Sequence, residues 1–127
     1  MKLSIIRVSV LIIFILSFIG CSQKQPMVSK SATILFKTPN MKFYDKGFVT
    51  KYDDHIDLQI FNAGTLVLKL LIYKDEICQN SFKCIDSKQF NKEYLSTKYN
   101  NDFLYNLFLE EKVYFRDNKN HILIKVF

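Results

Sequence analysis

The sequence contains no tryptophan, three glycines, two prolines, three cysteines and two histidines in 127 residues. So little glycine and proline excludes collagen-like and low-complexity chains. Only Gly47 and Gly64 follow residue 20, so no glycine-rich loop is available to cradle a phosphate. His55 and His121 are far apart, and the chain has no His-Glu-x-x-His, Gly-x-Ser-x-Gly or Ser-x-x-Lys. The usual arrangements for a zinc hydrolase or an activated serine are therefore missing. Both histidines sit at the ends of strand-like runs, where solvated side chains are expected. The acidic pairs Asp53-Asp54, Asp75-Glu76 and Glu110-Glu111 fall in turns or at helix ends and read as surface charge. The expectation is a non-catalytic protein without cofactor or metal.

Apolar and aromatic residues, by contrast, are plentiful. They make up 49% and 15% of the chain, with 12 Phe and 7 Tyr, enough to fill the core of one small domain and too much for a disordered chain. The net charge of +6 is ordinary for solubility and does not mark a nucleic-acid-binding protein.

The amino-terminal residues explain the odd cysteine count. Lys2 and Arg7 precede an apolar run, Val8 to Ile19, interrupted only by Ser9 and Ser17. That run is shorter than the about 20 apolar residues of a membrane span and fits the apolar region of a secretory signal. It ends in Phe18-Ile19-Gly20-Cys21, followed by the polar stretch Ser22-Gln23-Lys24-Gln25-Pro26. This junction resembles the lipobox of bacterial lipoproteins. The resemblance implies cleavage between Gly20 and Cys21, diacylation of the Cys21 thiol and acylation of the new amino group. Three acyl chains exceed the two signals that stable membrane anchoring needs. A serine after the cysteine implies the outer membrane, with the domain on its periplasmic face or at the cell surface. Residues 1–20 are then a signal peptide, and the remaining 107 residues hold 16 basic and 12 acidic side chains.

Residues 21–31 read as the lipidated cysteine and a polar tether, and 32–127 as a single periplasmic domain. Thr33–Thr38 is strand-like and closes at Pro39-Asn40. Met41–Tyr44 and Phe48–Tyr52 are extended on either side of an expected Asp45-Lys46-Gly47 turn. His55–Phe61 alternates, with Ile56, Leu58 and Ile60 on one face. A three-residue loop, Asn62-Ala63-Gly64, leads to Thr65–Tyr73, whose Leu66, Leu68, Leu70 and Ile72 are expected on the same core. Ile77–Ile85 reads as a small hairpin. Two helices are expected at Lys88–Lys98 and over 102–110. The first carries Phe90, Tyr94 and Leu95 on one face behind an Asp86/Gln89 capping box. The second is capped by Asn101, with Phe103, Leu104, Leu107 and Phe108 as its stripe. Lys112–Phe115 and His121–Phe127 close the chain. The fold class is α+β: an antiparallel, curved, half-barrel-like sheet with a pair of short helices packed on one face.

With Cys21 acylated, Cys78 and Cys84 remain in an oxidising compartment, across a plausible tight hairpin. A structural disulfide is the expectation. Redox dithiols favour Cys-x-x-Cys at a helix start, and a metal site would need two further ligands. The aromatic content has two readings. One is a solid core of large side chains. The other is an apolar cavity between sheet and helices with room for an acyl chain, lined by Leu58, Ile60, Leu66, Leu68, Leu70, Phe90, Tyr94, Leu104 and Phe108.

The stretches Phe43–Phe48, Leu58–Gly64, Cys78…Cys84, Phe90–Leu95 and Asn101–Leu104 resemble small outer-membrane lipoproteins of the Campylobacter and Helicobacter group. More distantly, the order of strands, helix pair and further strands is similar to the LolA/LolB lipoprotein carriers. That similarity implies an open half-barrel with a helical lid, and acyl chains or other lipoproteins as partners. A structural or surface-exposed adhesion lipoprotein is the competing expectation. Nucleic acid is not an expected partner.

Overall fold

Period-two alternation organises the strands that follow residue 27. The computed structural model describes residues 2–16, 20 and 25–127. It contains strands β1 (Val28–Lys37), β2 (Lys42–Lys51), β3 (Ile56–Asn62), β4 (Thr65–Ile72), β5 (Glu76–Gln79) and β6 (Lys83–Asp86). Later in the chain come β7 (Tyr114–Asp117) and β8 (Ile122–Val126). All pairings are antiparallel, and the sheet runs β6-β5-β4-β3-β2-β1-β8-β7. It is open and curved, with four-residue strands at both edges, which limits the backbone left unpaired there.

Among the described residues three helices accompany the sheet: α1 (Lys2–Leu16), α2 (Ser87–Tyr94) and α3 (Phe103–Leu109). The segment holding α2 and α3 carries the chain from the β6 edge to the β7 edge across one face of the sheet. The α+β expectation holds. Helix α1 has 15 residues, about 22 Å at 1.5 Å per residue. No helix among the described residues is long and apolar enough to cross a membrane. Gly20 is exposed, and Cys21 lies outside the described residues.

One core lies between the helices and the sheet. Ile34, Phe36, Ile56, Leu58, Ile60, Leu70, Ile72, Leu104, Phe108 and Ile124 are fully buried in it. Every described member of this cluster falls between Ile34 and Ile124.

Several local expectations are corrected. Strand β1 begins at Val28, so 28–31 is sheet and not tether. Its first four side chains are exposed, and the backbone ladder with Phe48–Lys51 recruits it without burial. Asp45-Lys46-Gly47 does not turn, because ten cross-strand pairs hold β2 straight through it. Gly47 is instead a close approach: a Cβ there would lie 2.0 Å from the Gln59 carbonyl oxygen and 2.7 Å from Ile34 Cδ1.

The β3–β4 loop has two residues, Ala63 (φ 48°) and Gly64 (φ 80°), both in the left-handed region that a tight hairpin requires. Pairing then shifts between Ile60↔Leu68 and Phe61↔Leu66, leaving Val67 as an extra residue. This bulge turns Leu66 to the outer face, where it is 44% exposed and not part of the core. Helix α2 stops at Tyr94 because buried Leu95 leaves helical geometry (φ −123°, ψ −110°). Asp86 caps it, accepting from Gln89 N at 2.7 Å, but the Gln89 side chain donates to Glu93 and completes no capping box. Asp102, not Asn101, precedes α3 and makes no side-chain cap.

Candidate functional site

The nine residues expected to line a cavity do not line one. Leu58, Ile60, Leu70, Leu104 and Phe108 are 0% exposed and Leu68 and Phe90 1%, all within the packed core. Tyr94 is half-buried against the Phe90 ring at 4.8 Å, and Leu66 is outside. Phe36, Phe90 and Phe108 supply much of the volume under the helices, and close packing leaves their side chains out of contact with solvent.

The opening lies further along the same face, where α3 has ended. Even-numbered positions of β1 and β8 and odd-numbered positions of β2 face the helices, which places Val28, Lys30, Val49, Lys51 and Val126 together. With Leu109, Glu110, Glu111 and Val113 they enclose a groove of about 400 Å³. That volume is within the range of small-ligand sites. Its walls are mainly valine and leucine, with charged groups at the rim. Lys51 fixes one wall: its Nζ donates to the carbonyls of Leu109 (3.1 Å) and Glu110 (3.2 Å) at the end of α3. A cation at a helix carboxyl end satisfies orphan carbonyls and favours the helix dipole. Val126 N donates to Val113 O at 3.1 Å and holds the other wall to β8.

Three further clusters bring chemically capable groups together. Cys78 and Cys84 stand directly opposite on β5 and β6 and form the expected disulfide. Glu76 lies close to both sulfurs, but sulfurs bonded to each other offer no thiolate to a metal. His55 is not solvated as expected. Its side chain is 12% exposed, stacked between Tyr52 (4.5 Å) and Tyr73 (4.8 Å), with Nδ1 2.7 Å from Asp54 Oδ1. His121 is exposed in the β7–β8 turn at φ 55°.

The third cluster joins Tyr99 and Asp117. Tyr99 Oη donates to Asp117 Oδ2, and Asn120 donates to the same carboxylate through its side chain (2.7 Å) and backbone (3.1 Å). These bonds, that from Tyr99 first, lower the Asp117 carboxyl to about 2. Burial, reinforced by the bond and charge of Asp117, raises the Tyr99 hydroxyl. This is a structural staple between the α2–α3 connection and the last hairpin, where no substrate-sized opening adjoins both groups.

No protein family, curated protein or solved structure matches the chain. The groove therefore stands on its own geometry. Sequence reasoning misses it because Val28 and Lys30 fall in a stretch whose polar composition reads as tether. The signal that could have found it is the alternation of Val28, Lys30, Ala32 and Ile34 in phase with the core strand.

Proposed function

We propose that this chain is a non-catalytic lipoprotein of the outer membrane, anchored through Cys21, whose domain takes a slender apolar ligand such as one acyl chain in the groove beside α3. The observation that carries the ligand part is the valine- and leucine-walled opening of about 400 Å³ on the helix-covered face. Apolar walls favour a hydrocarbon by removing its surface from water, and Lys30 at the mouth suits an anionic head. The anchor rests on the resemblance of Phe18–Cys21 to a lipobox. LolB-like handling of lipid or lipoprotein takes its support from this groove and none from the filled space under the helices.

Lipid extracted from the purified chain and identified by mass spectrometry tests the ligand. Val28→Asp with Leu109→Asp changes two exposed wall residues and is expected to abolish co-purified acyl lipid without lowering stability. No lipid above background in the unaltered chain would sink the reading. Labelling with a palmitate analogue, lost in Cys21→Ala, tests the anchor separately.

A second reading, a structural or adhesive envelope lipoprotein, is favoured by the solid interior and by the aromatic side chains left exposed on the opposite face of the sheet.

A further inference from the structure

That opposite face has an order of its own. Register places Tyr44, Leu35, Lys125 and Tyr114 in one row across β2, β1, β8 and β7. The adjacent row is Lys42, Lys37, Leu123 and Arg116. Lys46 extends the same face of β2. Leu35, Tyr44, Tyr114, Arg116, Lys125 and Phe127 border a shallow depression of about 480 Å³. Tyr44 is 65% exposed, Tyr114 49% and Phe127 51%. The Tyr44 and Phe127 rings stack at 6.1 Å, and Lys125 Nζ stands 4.6 Å from the Phe127 ring centre.

No acidic side chain points from this half of the sheet. Asp45 and Asp117 occupy the alternate positions of β2 and β7 and bind Asn62, Tyr99 and Asn120. On the other half the balance is acidic: Lys69 has Asp57 at 3.8 Å, and Glu76 stands opposite Asp86. Lys37 and Lys42 are directly opposite each other, and like charges in that position repel. Among the described residues none of these five cations has an acidic partner within salt-bridge distance. The Lys37–Lys42 repulsion has no acidic side chain on this half of the sheet to offset it, which points to an external anion.

We infer that the β2-β1-β8-β7 face docks on a bilayer bearing anionic phospholipid headgroups, with Lys37, Lys42, Lys46, Arg116 and Lys125 on the phosphates and the Tyr and Phe rings at the headgroup level. Tyrosines at a membrane interface and basic clusters over anionic lipid are the recognised chemistry of such contacts. The bilayer is favoured over other polyanions because it rests on the Cys21 anchor. A lipid there is only seven positions from Val28, where β1, one of the two inner strands of this face, begins. The docking face and the groove lie on opposite sides of the sheet, so the two can fail independently.

The test uses a chain beginning at Ser22, which keeps every described core residue and all eight strands. Co-sedimentation is measured with vesicles of phosphatidylcholine alone and of phosphatidylcholine mixed with phosphatidylglycerol. Binding to the mixed vesicles is expected to be at least about tenfold tighter and to weaken steadily with added salt. Lys37→Glu with Arg116→Glu is expected to remove that preference, and Lys37→Glu also places an acid opposite Lys42, which favours folding. Tyr44→Ser with Tyr114→Ser is expected to weaken binding while keeping the salt dependence. Equal binding to both vesicles, no binding at low salt, or an unchanged charge-reversal variant overturns the inference. So does tighter binding to heparin or an oligonucleotide than to the mixed vesicles. If charge reversal unfolds the chain, the salt dependence of the unaltered protein decides alone. Failure of vesicle binding with palmitate labelling intact removes the face and leaves the anchor.

Discussion

Tyr99 and Asp117 show how one half-buried carboxylate can hold two segments together. The folded Asp117 carboxyl, at about 2, is more acidic than an unfolded aspartate near 4. Its contribution to stability is therefore complete above about pH 4 and is lost as pH falls through about 2. Tyr99→Phe should lower the melting temperature at neutral pH, and the gap from the unaltered chain should narrow between pH 4 and 2. Melting curves across that range check the sign. Gly47 is a second residue whose role is local. Gly47→Ala drives a methyl into the Gln59 carbonyl, and backbone must move; a loss of about 1–3 kcal/mol in denaturant unfolding is expected.

Secondary elements add constraints that no single residue carries. The bulge in β4 separates two leucines two positions apart in sequence. Leu68→Ala should cost about 2–5 kcal/mol, because its side chain is fully buried, while Leu66→Ala should stay within about 0.5 kcal/mol. Urea midpoints of the pair measure the bulge directly. The β5–β6 hairpin is closed by Cys78–Cys84 over a short loop, and at its tip Phe82 is 94% exposed. Replacing both cysteines by serine should destabilise by about 2–3 kcal/mol and keep the fold, since the hairpin is an edge of the sheet. Strand assignment from the sequence was most accurate where one face is fully buried, as in β3. It failed in β1 and β2, where backbone pairing decides the strand and the turn-like residues Asp45-Lys46-Gly47 carry no vote against ten ladder pairs. Helix α2 is shorter than its apolar stripe predicts, because the stripe continues into Leu95, which is buried without being helical.

At the scale of the whole molecule, one sheet separates two surfaces of different chemistry. The helix-covered face is a dense core with an opening at one end, and the β2-β1-β8-β7 half of the opposite face is aromatic and cationic. The described core begins at Ile34, and no described residue before Ser22 belongs to it. A chain beginning at Ser22 should unfold cooperatively at the same denaturant midpoint as the full chain. The candidate site was legible only in part. Val49 and Leu109 belong to recognisable apolar elements, but their meeting with Val28 and Val126 depends on β8 joining β1, a pairing between residues some ninety positions apart.

Sequence alone determined the chemistry that depends on composition and short spacing: the absence of catalytic motifs, the lipobox-like junction, the cysteine pair, the alternation of β3 and the α+β order of elements. Each is written within a few neighbouring residues. Tertiary structure decided where space remains. Whether Leu58, Leu70, Phe90 and Phe108 enclose a cavity or fill it depends on how three large rings meet from different elements. Hydrophobic pattern says only that a side chain leaves water. Which empty volume survives, and which cations share a face without counter-charges, follows from strand register and from the packing of surfaces far apart in the chain.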